Sequence, residues 1–111
     1  MIELGEAAKY VRNRLGLSQR RAGEVLGISH IHINNVENGK TSPSPAILEK
    51  YFDAFGIDLY MVAIVLFSDA ERLPKAMRSA AGELKEEWDR QLERTIIELQ
   101  GKGFHAGHAK T

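Results

Sequence analysis

Apolar positions recur at intervals of three and four along most of the chain, and serines and glycines cut that pattern into short segments. Ala8, Val11 and Leu15 share one stripe, which predicts a helix over Ala7 to Leu15. Gly16 then stands where a left-handed C-cap residue is favoured. Ser18 can cap a second helix from Gln19 to Leu26, closed by Gly27. Ser29 can cap a third from His30 to Asn38, closed by Gly39. The alternation His30-Ile31-His32-Ile33 has the look of a strand, but Ile33 and Val36 lie three apart between a cap and a glycine, as on one helical face. Ile31 falls off that face. An isoleucine exposed between two histidines is costly unless a partner covers it.

The pattern continues with Ser44 as a cap, Pro45 at the first helical position, and Ile47, Leu48, Tyr51, Phe52 and Phe55 on an apolar face ended by Gly56. Asp58 can cap a fifth element, Leu59 to Phe67. That segment is apolar nearly all round and rich in β-branched residues, so helix and strand both stand, and either must be buried on both sides. Pro74 opens a last helix to about Gln100, with a stripe of Leu73, Met77, Ala80, Leu84, Trp88, Leu92, Ile96 and Leu99 against a charged face. The expected organisation is a domain over 1–67, an amphipathic helix within 68–100, and a loose glycine-containing tail over 101–111. No internal repeat interrupts it.

Composition narrows the function classes. The chain has 111 residues and 43% hydrophobic content, enough for one compact domain with an appendage. The absence of cysteine excludes disulfides and thiolate metal sites. Glu3, Glu6 and Lys9 interrupt any leader-like apolar run, and Leu59 to Phe67 is too short to span a bilayer, so a soluble cytoplasmic protein with no membrane partner is expected. Net charge is zero, from 15 basic and 15 acidic residues, which argues weakly against a nucleic-acid binder. Distribution matters more. Lys9, Arg12, Arg14, Arg20 and Arg21 follow one another with no acid between them, and such a patch can meet phosphate or simply be a solvated helix face.

Candidate chemistry is sparse. On a helix His30 and His32 lie about 200° apart, which is poor for joint metal binding. His105 and His108 sit in the tail without a carboxylate beside them and read as solvated. No nucleophile–base pair, phosphate loop or carboxylate pair stands out. No catalytic residue, metal or cofactor is expected. The run "GELKEEWDRQLER" reads as a solvated face over a buried stripe. That stripe, represented by Leu84, Trp88, Leu92 and Ile96, needs cover. It can fold back on Leu59 to Phe67 or pair with a second chain, and dimerisation through the last helix together with Leu59 to Phe67 is the favoured expectation.

Residues 14–58, "RLGLSQRRAGEVLGISHIHINNVENGKTSPSPAILEKYFDAFGID", resemble the lambda-repressor-like, or Xre-type (Cro-like), helix-turn-helix DNA-binding family. The likeness rests on "GLSQ" and "ENGK" at this separation, with Gly27 and Ser29 between them, and with the flanking helices it covers about three-fifths of the chain. The resemblance implies an all-α fold, a five-helix domain followed by the long C-terminal helix. It implies double-stranded DNA as partner and residues 29–38 as recognition helix. Ser29, His30, Ile31, His32 and Asn35 would then read bases, Ile31 packing on a thymine methyl. Ser18, Gln19, Arg20, Asn38, Lys40 and Thr41 would meet phosphate. Glu37 would pair with Arg12. Ala22 and Gly23 depart from the usual leucine and alanine, which predicts a volume filled by Tyr10 or an aromatic of the fourth helix. Gly23 also costs roughly 1 kcal/mol of helix propensity against alanine. No base-reading arginine is evident, so no operator sequence follows. The expected function is a sequence-specific transcriptional regulator acting as a homodimer, its recognition helices about 34 Å apart on a palindromic operator. The alternative is an antitoxin-like module that clasps a small partner protein with its C-terminal helix and binds DNA for autoregulation.

Overall fold

A computed structural model of the chain describes residues 4–67 and 72–102. These form six helices and no strand: α1 (Leu4–Arg14), α2 (Gln19–Leu26), α3 (His30–Glu37), α4 (Pro45–Phe55), α5 (Leu59–Phe67) and α6 (Lys75–Gly101). His105, His108 and most of the expected loose tail lie outside the described residues.

Short polar side chains start α2 to α5 where the pattern places them, whereas α6 follows Pro74 without a side-chain cap. The hydroxyls of Ser18, Ser29 and Ser44 accept from the N–H groups of Arg21, His32 and Ile47 at 2.9, 3.0 and 3.2 Å. The Asp58 carboxylate accepts from the Tyr60 N–H at 2.8 Å, which starts α5 as a helix rather than a strand. Leu59, Val62 and Ala63 are buried at the helical spacing. Gly27 takes the left-handed turn between α2 and α3, with φ 76°.

Two glycines correct the sequence reading. α1 begins at Leu4, before the expected Ala7, because it runs through Gly5. A Cβ at Gly5 would collide with the carbonyl oxygen of Val36, so a bare backbone lets α1 cross the end of α3. At Gly23 there is no volume for an aromatic to fill. A Cβ there would stand 2.5 Å from the carbonyl oxygen of Ile28, the backbone leading into α3.

The core is centred on α1, which packs on both α3 and α5. Ala7, Ala8, Val11 and Leu15 join Ile33 and Val36 of α3 and Leu59 and Val62 of α5 in one cluster. Each large side chain fully buried there contributes roughly 1.5–3 kcal/mol.

The long helix divides into two parts. Leu92, Ile96 and Leu99 are buried in the same cluster, and α6 packs on α5. This corrects the expectation for Leu92 and Ile96: the chain's own core covers them, so they offer nothing to a second chain. Met77 and Leu84 remain 54% and 49% exposed, and Trp88 is half-buried between the two regimes. Polar contacts fasten the docked half. Arg14 of α1 holds Glu93 through two hydrogen bonds of 2.6 and 2.8 Å and also donates to the Tyr10 hydroxyl. The Gln100 amide donates to the carbonyl oxygen of Arg14. The undocked half makes the molecule long, with a radius of gyration of 14.8 Å against about 13 Å for a compact chain of ~100 residues.

Candidate nucleic-acid interface

Helix α3 is held from behind. Ile33 and Val36 turn one side of α3 into the core. Glu37, at its end, has a side chain only 1% exposed. A carboxylate in that position needs charge and hydrogen bonds around it. Arg12 supplies both, through Nε to Oε2 at 2.7 Å and Nη2 to Oε1 at 3.0 Å. Its remaining Nη1 donates to the carbonyl oxygen of Leu17 at 2.8 Å, so one guanidinium ties α1, the α1–α2 turn and α3 together. The buried Tyr51 phenol of α4 feels this pair. Burial first, and then the Glu37 charge, push its pKa up to about 12.

The α2 start is fixed against the middle of α3. The Gln19 amide nitrogen donates to Asn34 Oδ1 at 3.3 Å and to Glu37 Oε1 at 3.2 Å. Both of its hydrogens are thereby used inside the protein. The side chain expected to grip phosphate aligns two helices here, and Ser18 caps α2 beside it. Arg20, the next residue, is exposed. Asn34, which the sequence reading passed over, joins this arrangement by also accepting from Asn38 Nδ2 at 3.1 Å. Its position next to Asn35 was the available signal, since two adjacent asparagines on a short helix cannot share one face.

The loop after α3 is tied back to the same turn. The carbonyl oxygen of Asn35 accepts from the N–H of Lys40 at 2.9 Å and of Thr41 at 3.3 Å. Lys40 and Thr41 are exposed. The remaining side chains of α3 look outward. Ser29, His30 and Ile31 are exposed, and His32 and Asn35 are partly so. Ile31 is 62% exposed, the highest value among the large apolar residues described.

Electrostatics differ from what the basic run suggests. Arg12 is paired with Glu37, Arg14 with Glu93 and Arg21 with Glu24 at 2.9 Å. The acids come from other helices or from just beyond the run, so the patch is largely neutralised in three dimensions. Arg20 and Lys40 are the exposed cations adjoining α3 through Gln19 and Asn35. The result is an exposed edge with donors, acceptors and one apolar side chain, and only modest positive charge. Among the described residues no cluster of metal-ligating side chains occurs, and no helix is long and apolar enough to cross a membrane.

Comparison with known proteins points the same way. A helix-turn-helix family model matches residues 9–61. The chain is 38% identical over 55 residues to the HTH-type transcriptional regulator PuuR of Escherichia coli K12, which covers 50% of this chain and 30% of the relative. It is 31% identical over 64 residues to the competence pilus inhibition repressor of Acinetobacter baylyi, covering 58% of each. The matched stretches therefore span less than two thirds of these relatives. No solved structure matches.

Proposed function

We infer a function for a chain that belongs, through residues 9–61, to the helix-turn-helix family of the lambda-repressor-like, Xre type. It is a sequence-specific DNA-binding transcriptional regulator that works as a homodimer on an operator in the cytoplasm. The observation that carries this reading is Ile31, exposed between His30 and His32 on a helix whose other side is locked to α1 and α2. An apolar side chain left in water on an otherwise polar edge is accounted for by a thymine methyl in the major groove. His30, His32, Ser29 and Asn35 then donate and accept at base edges. Arg20, Lys40, Thr41 and the N–H groups that open α2 at Ser18 set the register on the phosphates, with Asn38 at the end of α3 beside them. Gln19 acts by positioning. Regulation follows by occupying promoter DNA or by recruitment there.

Selection from a random pool of DNA duplexes tests this. A motif with two-fold symmetry should be enriched, with half-sites about 34 Å apart or a multiple of it. A pool that stays random over successive rounds overturns the reading.

One observation favours a second reading. The undocked half of α6 exposes Met77 and Leu84 to solvent, as a helix that clasps a partner protein would. An antitoxin-like module of this kind would co-purify with a small protein encoded next to it, and a stable free homodimer would count against it.

A further inference from the structure

We propose that His30 and His32 take up protons when α3 docks on duplex DNA, so that affinity for DNA rises as pH falls through neutrality. This regulation rests on the DNA-binding reading above. The α3 edge is short of fixed cations. Arg12, Arg14 and Arg21 are engaged by Glu37, Glu93 and Glu24, which leaves Arg20 and Lys40 beside a helix that itself carries no arginine or lysine. The two imidazoles stand where positive charge is missing. His30 is exposed and His32 partly so. At about 100° per residue, Ile31 and Asn35 form the middle of the face opposite the buried Ile33 and Val36, and His30 and His32 flank Ile31 on either side. In a groove that receives Ile31, each imidazole lies toward one wall of phosphates.

Nothing in the free chain takes the place of those phosphates. α1 and α2 pack against α3. On α1, Arg12 and Arg14 are paired, and Glu6 and Lys9 border a groove with Phe67 of α5. On α2, Glu24 is held by Arg21 and Arg20 is exposed. Glu37 of α3 is buried against Arg12, and Lys40 follows in the loop. Among the described residues no carboxylate forms an ion pair with either imidazole. The positive end of α3, Arg20 and Lys40 all disfavour an imidazolium. They act in the free and the bound chain alike, so they drop out of the difference that sets proton uptake. Phosphate acts only in the complex, and imidazole is the side chain whose charge ordinarily changes in the physiological range. The sign follows: a group that holds its proton more tightly in the complex makes the complex tighter at low pH. Protonation also turns each ring from one donor and one acceptor into two donors, the complement of guanine N7 and O6.

The test titrates the wild-type chain with a duplex enriched by selection and with a random duplex of the same length, at fixed salt, from about pH 8 to about pH 6. Affinity is expected to rise about tenfold or more over that range. Calorimetry in two buffers of different ionisation enthalpy counts the protons directly, and roughly one per chain is expected near pH 7. The double variant His30→Asn with His32→Asn is expected to show a flat profile whatever its absolute affinity, with circular dichroism checking its fold. If it binds too weakly to follow, each single variant is expected to halve the proton count. His105→Asn with His108→Asn, which removes the other two histidines of the chain, keeps the rise. On a duplex that the chain binds, a change below about twofold with no proton uptake would overturn the proposal and leave the DNA-binding reading intact. A rise that disappears with His105 and His108 would overturn it too. Binding to neither duplex at any pH would remove the proposal together with that reading.

Discussion

Arg12 shows how much of the α3 edge depends on one side chain held behind it. Its three donating nitrogens reach Glu37 and the carbonyl oxygen of Leu17. Truncation by Arg12→Ala leaves the buried Glu37 carboxylate without a countercharge and with the Gln19 amide as its remaining donor, and the expected cost is about 3–5 kcal/mol of stability in urea unfolding. A loss below ~1 kcal/mol would show that the pair is not what fixes α3. Arg12→Lys is expected to restore only part, because an ammonium cannot reproduce the planar fork. At this scale legibility was uneven. The exposure of Ile31 could be read from the spacing of Ile33 and Val36 alone. The partnership of Arg12 and Glu37 was available only through resemblance, since no local pattern joins residues so far apart. The inward turn of the Gln19 amide was not legible at all, because it depends on Asn34 and Glu37 arriving from another helix.

Among the elements, the serine caps, the glycine stops and Asp58 made most boundaries readable before any coordinates. What escaped was set by backbone approaches that sequence does not record. Gly5 and Gly23 look like weaknesses in a helix and are instead where one backbone meets another. An apolar run such as Leu59–Phe67 shows no face in the sequence; in the fold Leu59, Val62, Ala63 and Val65 are buried and α5 packs on α1 and α6, while Tyr60, Met61 and Phe67 stay exposed, so the expected burial on both sides is not met. α6 is the element whose reading divided, half core and half free. Its docking has a pH signature. The Arg14 hydrogen bonds hold the Glu93 carboxyl below the usual carboxylate range, and burial opposes this only in part. A depressed carboxyl stabilises the docked helix above its unfolded pKa, about 4.3, and loses that contribution as pH falls through the folded value. Amide exchange in residues 91–101 is therefore expected to accelerate more steeply than in α1 as pH is lowered below about 4.3, after correction for intrinsic rates. In Glu93→Gln the excess acceleration should vanish. If the variant and the wild type keep the same pH profile, the Arg14–Glu93 contact does not hold α6.

For the whole molecule, net neutrality and the internal pairing of Arg12, Arg14 and Arg21 leave only a small electrostatic contribution to the proposed DNA contact. With Arg20 and Lys40 as the cations beside α3, the proposed dimer would neutralise roughly four phosphates. The logarithm of its affinity should fall with the logarithm of salt at a slope of about −4. A slope near −10 would mean that a larger basic surface takes part. A modest phosphate contribution puts the weight of recognition on base edges, and that is the claim everything else serves. The most direct measurement compares Asn35→Ala with the wild type on a selected operator and on random duplex at one salt concentration. The expected result is a loss of roughly tenfold or more on the operator, the scale of about 1–3 kcal/mol for a good base contact, with affinity for random duplex nearly unchanged. Equal losses on both, or none on either, would contradict a base-reading α3.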